Sequence, residues 1–329
     1  MYPKPHADTW TQEKSLPLAH RAVKFLGLLP PAAEDVHQTR LSDPMPVFEE
    51  WNQALFLVPW ALAPYLFHTY IYYYAGPEYQ LGPWAMWGCL VLFTLTFGLY
   101  WVHFLNHLAR KYGYFNGGTG RDTIPFSEVP KVLTEVVCGL LLRPAIAVYL
   151  AYDPSAPPSM TVWAPLQLFF FTLVEDFYYY WAHRICHEVE SLWKLHRLHH
   201  TTKAPTLLLL GYAGELQEIF DIVGAPTISW LTFPLPFDVF MAWMIIHVSI
   251  QLHGHSGVRL WHGTILTGPY LRPFKLELVS EDHDLHHRHG WRESYNYGKQ
   301  SGVWDNLFGT NGERIEGYDA NLQYGQVIY

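Results

Sequence analysis

Across 329 residues, 50% of side chains are hydrophobic, 17% aromatic and only 15% charged, against the quarter or so of charged residues usual in soluble domains. That shortage of charge argues for a membrane protein, and a formal net charge of -8 with no basic aromatic run excludes a nucleic-acid binder. Cys89, Cys138 and Cys186 form no even framework, so no disulfides are expected.

Residues 1–50 read as a polar, proline-bearing, partly ordered cytosolic or interfacial arm with no cleaved signal peptide. Apolar runs at 53–75 and 84–105 exceed the ~18 residues that mark a spanning helix. Both carry Trp and Tyr at their ends, as at a lipid–water boundary. Pro59 and Pro64 are tolerable in the first of them but predict a kink. A polar loop, 106–131, leads to a third run at 132–151, interrupted by Arg143 and Pro144. After the loop 152–159, a fourth run, 160–182, ends in histidines. Lys and Arg number five in the arm, four in 106–131, four in 183–203 and seven in 253–329, and none in 75–83 or 152–159. The positive-inside rule then places the arm, the middle loop, the histidines and the tail on the cytosolic side. Residues 206–252 are apolar but carry Glu215, Glu218 and Asp221 and three prolines. A re-entrant or bent hairpin returns both flanks to the same side, with the acids facing protein or the interface.

The chemistry lies in the histidines. Residues 183–200 read HRICHEVESLWKLHRLHH, an HxxxH pair (His183, His187) followed by an HxxHH triplet (His196, His199, His200). A second HxxHH follows at His283, His286 and His287. On a helix, positions i, i+3 and i+4 share a face, so each box aims its imidazoles in one direction. Imidazole ligates iron, zinc and copper, and eight ligands exceed what one tetrahedral ion uses, so two metals are expected. A closed structural zinc site would hold four ligands, often with cysteine. A cluster this large beneath apolar helices fits redox metals that activate oxygen against an apolar substrate. No GxSxG, P-loop or GxGxxG competes with it.

Asp176, Tyr180, His183 and His187 fall on one helix face, and Asp176 is the natural acceptor for the second N–H of a ligating imidazole. Asp284, inside the third box, is another such candidate. His247, Gln251 and His255 form a further stripe whose end, His255, is the choice for a ninth ligand, with His253 as a neighbour behind it. His68, His103, His107, His262 and His289 lack box spacing and are expected in the core or at the interface. Cys186 points away from His183 and His187.

HxxxH, HxxHH and a second HxxHH on the cytosolic ends of membrane helices resemble the fatty acid hydroxylase/sterol desaturase superfamily, which includes C4-methylsterol oxidases, sphinganine C4-hydroxylases and fatty acid 2-hydroxylases. Supporting stretches are LHRLHHTTKAP from 195, HSG from 255, HDLHH from 283 and NYGKQSGVWDNLFGT from 296. The resemblance covers roughly residues 160–318 and implies a non-haem di-iron centre using O2. It also implies two electrons drawn from NAD(P)H through cytochrome b5 or a related reductase of the endoplasmic reticulum membrane. The ligands so implied are His183, His187, His196, His199, His200, His283, His286 and His287, joined by His255. The implied reaction is hydroxylation or a related desaturation of a sterol, sphingoid base, fatty acyl chain or lipophilic specialised metabolite. The chain departs from the C4-methylsterol oxidases in reading YAGELQ at 212–217 where they read Y-A-H-P-x-E, and HSGVR from 255 where they read H-S-G-Y-D. It carries no fused H-P-G-G cytochrome run, so a separate reductant is needed.

The expected architecture is an all-α integral membrane protein with about four spans, a re-entrant segment and a cytosolic histidine-box di-metal site. It divides into the arm (1–50), N-terminal transmembrane helices (51–159), a hydroxylase-like domain (160–318) and a tail (319–329). Two other readings are a catalytically silent lipid-binding relative, against which the intact boxes speak, and a histidine-rich metal transporter, which needs ligands along a transport path rather than at helix ends.

Overall fold

A computed structural model describes residues 15–76, 79–118 and 121–329, and what the arm was expected to do before residue 15 lies outside them. The fold is helical. Helix α1 (Leu18–Phe25) precedes three long helices, α2 (Glu50–Tyr74), α3 (Pro83–Tyr112) and α4 (Val129–Ala151). These cover the first three expected spans, and α2 continues through both prolines. Pro83 opens α3, where its missing N–H costs nothing, and Arg110 and Lys111 sit in its last turn against the helix dipole. Gly113 ends it at φ 77°, where a Cβ would lie 2.4 Å from the His37 carbonyl oxygen. Only glycine fits there. The arm is better ordered than its sequence pattern implies: Val36, Met45, Val47 and Phe48 are buried.

Helix α5 (Ala164–Glu188) carries the first box and is followed by α6 (Glu190–His196), α7 (Glu215–Ile219), a π-helical turn at Phe220–Gly224, α8 (Ala225–Thr232) and α9 (Phe237–Gly254). Segment 206–252 is bent as expected, but α9 is a central helix rather than a shallow loop. It packs on α2, α3, α4 and α5, and its residues from Phe237 to His247 are all buried. Apolar side chains all round its circumference are what such a position demands. Glu218 is buried and Glu215 exposed. After α10 (Gly268–Leu271) come α11 (Ser280–His289), which carries the third box, and α12 (Val303–Phe308).

Among the described residues, three helical stretches, Glu50–Tyr74, Pro83–Tyr112 and Phe126–Ala151, are long and apolar enough to cross a membrane by length and composition, where four spans were expected. Helix α5 is as long as α2, but Glu175 and Asp176 sit in its middle, both fully buried in protein. The tail is tied back: β1 (Met45–Pro46) pairs in parallel with β2 (Leu322–Gln323), and Asn52 accepts from the Ile328 N–H. Nearer the site, Glu281 accepts the N–H groups of Ile315, Glu316 and Gly317, and Asp282 pairs with Arg314. The third box is thereby held by the chain that follows it. Cys89, Cys138 and Cys186 are free thiols.

Candidate metal centre

Nine buried imidazoles meet where the C-terminal ends of α5, α6 and α9 reach α11. They form two groups, His183, His187, His196, His200 and His286 in one and His199, His255, His283 and His287 in the other, with the nitrogens of each group within 4.8 Å of one another. These are the nine histidines singled out in the sequence. Their partition splits the HxxHH boxes. In each HxxHH box the i, i+4 pair joins one group and the middle histidine crosses to the other, so His196 and His200 sit with His286, and His283 and His287 with His199.

The outer nitrogens explain the inward aim. His183 Nδ1 donates to the Tyr297 carbonyl (2.9 Å), His187 Nδ1 to Trp291 (2.7 Å) and His286 Nδ1 to Tyr295 (2.7 Å). His255 Nδ1 donates to the Gln251 carbonyl (2.9 Å) and His287 Nδ1 to that of Thr202 (3.1 Å). A carbonyl only accepts, so each of these imidazoles carries its proton on Nδ1 and turns a bare lone pair inward on Nε2. His196 is held differently, by the side chain of Gln217, whose Oε1 lies 2.7 Å from its Nδ1.

The inner nitrogens then crowd. His196 Nε2 lies 2.9 Å from both His183 Nε2 and His200 Nε2, and His255 Nε2 lies 3.1 Å from both His199 and His283. For His183 and His196 both lone pairs face each other, which is repulsive without a cation beside them. His187 Nε2 and His287 Nε2 are buried with no hydrogen-bond partner among the described residues, a cost that native interiors seldom carry unrelieved. Burial pushes the imidazoles of His196 and His255 down to about 4, and those of His199, His200, His283, His286 and His287 well below the ordinary value, with the neighbouring imidazoles adding to it in these five. All are neutral at pH 7, as metal ligation requires. The donor set therefore fits metal ions. Five imidazoles in one group exceed a closed tetrahedral zinc site.

The three expected helper residues have other partners. Asp176 does not take an imidazole N–H. One of its oxygens accepts the N–H groups of Lys299 (2.7 Å) and Gln300 (2.9 Å), and the other the Ser301 N–H (3.1 Å) and the Ser301 Oγ–H (2.6 Å). It pins the loop whose Tyr297 carbonyl orients His183, and so acts on the imidazole at one remove. Tyr180 bonds to Thr310 Oγ1 and accepts from Arg184, again facing the tail. Asp284 is bound by the Arg121 and Arg288 guanidinium groups rather than by an imidazole, because two cations outcompete a neutral N–H for a buried carboxylate. His253 lies outside both groups, stacked on His262 with centroids 3.5 Å apart. His68 bonds to Asp238 and His107 to the Tyr329 carbonyl. The residue that sequence reasoning missed is Gln217. Its stretch, 212–217, registers in sequence only as a departure from the sterol oxidases.

The geometry agrees with comparisons to known proteins. Residues 168–310 match the model of the family described as fatty acid hydroxylase, inside the expected 160–318. The chain is 41% identical over 238 residues to fatty acid hydroxylase vlmA of Lecanicillium sp, covering 67% of this chain and 64% of that one. It is 34% identical over 158 residues to very-long-chain aldehyde decarbonylase GL1-8 of Oryza sativa subsp. indica, covering 47% and 54% respectively. Methylsterol monooxygenase 2-1 of Arabidopsis thaliana is 30% identical over 172 residues, covering 50% and 62%. The chain thus spans less than two thirds of the length of each of these relatives. No solved structure matches it.

Proposed function

The chain carries a fatty acid hydroxylase domain over residues 168–310 and belongs to the superfamily that holds the methylsterol monooxygenases and aldehyde decarbonylases; from that premise we propose that it is a membrane-bound, non-haem di-iron oxidoreductase that hydroxylates a C–H bond of a lipid-like substrate. The balance is RH + O2 + 2e⁻ + 2H⁺ → ROH + H2O. The nine histidines hold two irons, five imidazoles at one and four at the other. Iron bound there supplies the activation of O2 by electrons delivered from outside the chain, chemistry that no side chain here offers. The electrons come from NAD(P)H through cytochrome b5 or a related reductase. The protein sits in the endoplasmic reticulum membrane with α5 as a fourth crossing and the site facing the cytosol, in line with the Lys and Arg distribution.

The protein's own part is positional. Backbone carbonyls of Trp291, Tyr295 and Tyr297 fix three imidazoles by their outer N–H groups, which locks both tautomer and ring orientation. Asp176 and the Asp305 carboxylate, which accepts the Tyr297 and Gly298 N–H groups, hold that carbonyl-bearing loop in place. Burial excludes bulk water from the imidazole nitrogens and prevents side reactions of oxidised species.

The observation that carries this reading is the pair of all-imidazole groups with lone pairs turned inward and no partner for two of them. Purified protein in nanodiscs is expected to hold about two irons per chain by elemental analysis and to consume O2 with reductant and lipid extract. An alanine variant of any one of the nine histidines that retained full turnover would refute it. A +16 mass pair in lipid profiles of cells with and without the protein identifies the substrate, and a −2 pair indicates desaturation instead.

A further inference from the structure

Two hollows adjoin the imidazole groups, and they differ in size. Beside His255 and His283 lies one of about 30 Å³, walled by Ile250, Leu278 and Val279 together with Gln251, Ser280 and Gln300. A water needs some 10–15 Å³ on this measure, so this space takes one or two waters or a molecule of similar size and no organic chain. Beside His183 and His196, between α5, α6 and α7, lies a cavity of about 280 Å³. Its wall is Ala182, Ile185, Leu192, Leu195, Leu216 and Phe220, with Cys186 among them. Its polar side chains besides the imidazoles are Tyr179, Gln217 and Asp221, of which Gln217 holds His196. Phe220 and Asp221 of this wall open the π-helical turn at Phe220–Gly224, a feature frequent at functional sites. On its wall Ile185 and Leu216 are 39% and 65% exposed.

An apolar, partly exposed wall around a hollow that reaches two imidazoles of the five-membered group is a route for a hydrocarbon. We propose that the hydrocarbon part of the substrate enters the cavity between α5, α6 and α7 and is oxidised at the five-imidazole group, while the four-imidazole group admits only small molecules. This rests on the oxidase reading above and adds to it the entry face and the group at which the C–H bond becomes C–O–H. A second apolar cavity, of about 180 Å³ between α3, α4 and α9, competes for this role. No imidazole lines it, and the Arg143 guanidinium, bonded to Gln251 Oε1 at 2.8 Å, stands at its wall.

The test is photolabelling of the full-length protein in nanodiscs with a fatty acid and with a sterol, each carrying a diazirine in its hydrocarbon part, followed by peptide mapping. Label within residues 179–196 or 216–221 from at least one probe is the expected result. Label confined to residues 94–143 and 208–210, which line the other cavity, or absent from 179–196 and 216–221 with both probes, overturns the proposal. Leu192→Trp is expected to cut the labelling at least fivefold with iron content unchanged, whereas Gly98→Leu, which fills the other cavity, leaves it within twofold; the reverse pattern also overturns it. In a Cys89→Ser, Cys138→Ser background, whichever probe labels is expected to slow alkylation of Cys186 by a lipid-soluble maleimide severalfold, and unchanged alkylation counts against it. These measurements need neither O2 nor reductant. Their failure with iron and turnover intact sinks only the cavity assignment, and their success without iron or turnover sinks only the oxidase reading.

Discussion

Gln217 offers the sharpest perturbation of the site. Three of the five imidazoles in its group are oriented by backbone carbonyls, which substitution cannot remove, whereas His196 depends on a side chain 2.7 Å away. Gln217→Leu keeps the bulk and deletes the acceptor. The His196 Nδ1–H is then left buried and unpaired, at a cost of about 1–3 kcal/mol. Otherwise the ring moves its proton to Nε2, which lies 2.9 Å from His183 Nε2 and His200 Nε2, and ceases to be a donor toward the group. Loss of a partner behind a metal-ligating histidine typically costs about 10–100-fold in metal affinity, equivalent to about 1.4–2.7 kcal/mol. Gln217→Glu retains an acceptor and is expected to keep iron within about threefold of the parent while making His196 a stronger donor. The assay is iron retained per chain during chelator titration of nanodisc-embedded protein, with O2 consumption measured on the same samples. If Gln217→Leu holds iron as tightly as the parent, then the His196–Gln217 bond does not orient a ligand and the tautomer argument fails.

Three further outcomes follow from the same geometry. Asp176→Ala strands three backbone N–H groups of loop 299–301 and is expected to destabilise the fold by about 3 kcal/mol or more, read as a lowered thermal midpoint with reduced iron content; an unchanged midpoint refutes the anchoring role. His283→Ala, which leaves three imidazoles in the smaller group, is expected to lose one iron per chain and keep the other, whereas His286→Ala leaves four in the larger group and retains more metal; loss of both ions together in each variant would show that the groups are not separate sites. For chelator-stripped protein, His196 and His255 are held near 4 in the fold against an ordinary 6.5. Because the unfolded chain takes up these protons first, their contribution is fully present above about pH 6.5, falls as pH drops from there toward 4, and is flat below it. A midpoint that rises over that interval on acidification would contradict the burial of neutral imidazoles.

The histidines were legible because ligand chemistry and helical spacing coincide in them, but the partition was not: a shared face aims each box one way, whereas the middle member of each HxxHH box crosses to the other group. In α11 the i+3 residue stands about 100° from its i+4 neighbour, which turns His286 away from His287, while in the other triplet α6 ends at His196 and a tighter turn begins at His199. An isolated HxxxH such as His183–His187 has no crossing member and serves one group alone. The long apolar helices were legible from run length for α2, α3 and α4. For α5 run length marks the helix but not whether it crosses a membrane, because Glu175 and Asp176 are satisfied inside the protein, by Gln300 and the 299–301 loop, so their polarity says nothing about what lies outside the helix. The same blindness misassigned Asp176, Tyr180 and Asp284. A helix face shows which residues point the same way and carries the near partners Arg184 of Tyr180 and Arg288 of Asp284, but Lys299–Ser301, Thr310 and Arg121 lie some 120–160 positions distant, and no periodicity carries that. Gln217 shows the converse. A change that reads in sequence as lost resemblance is, in three dimensions, an amide carbonyl where the sterol oxidases' pattern has a carboxylate, behind an imidazole on the wall of the largest cavity at the site. A neutral acceptor draws less charge onto the ring than a carboxylate does, so the donor strength of His196 is set in this chain by a residue that also borders the cavity between α5, α6 and α7.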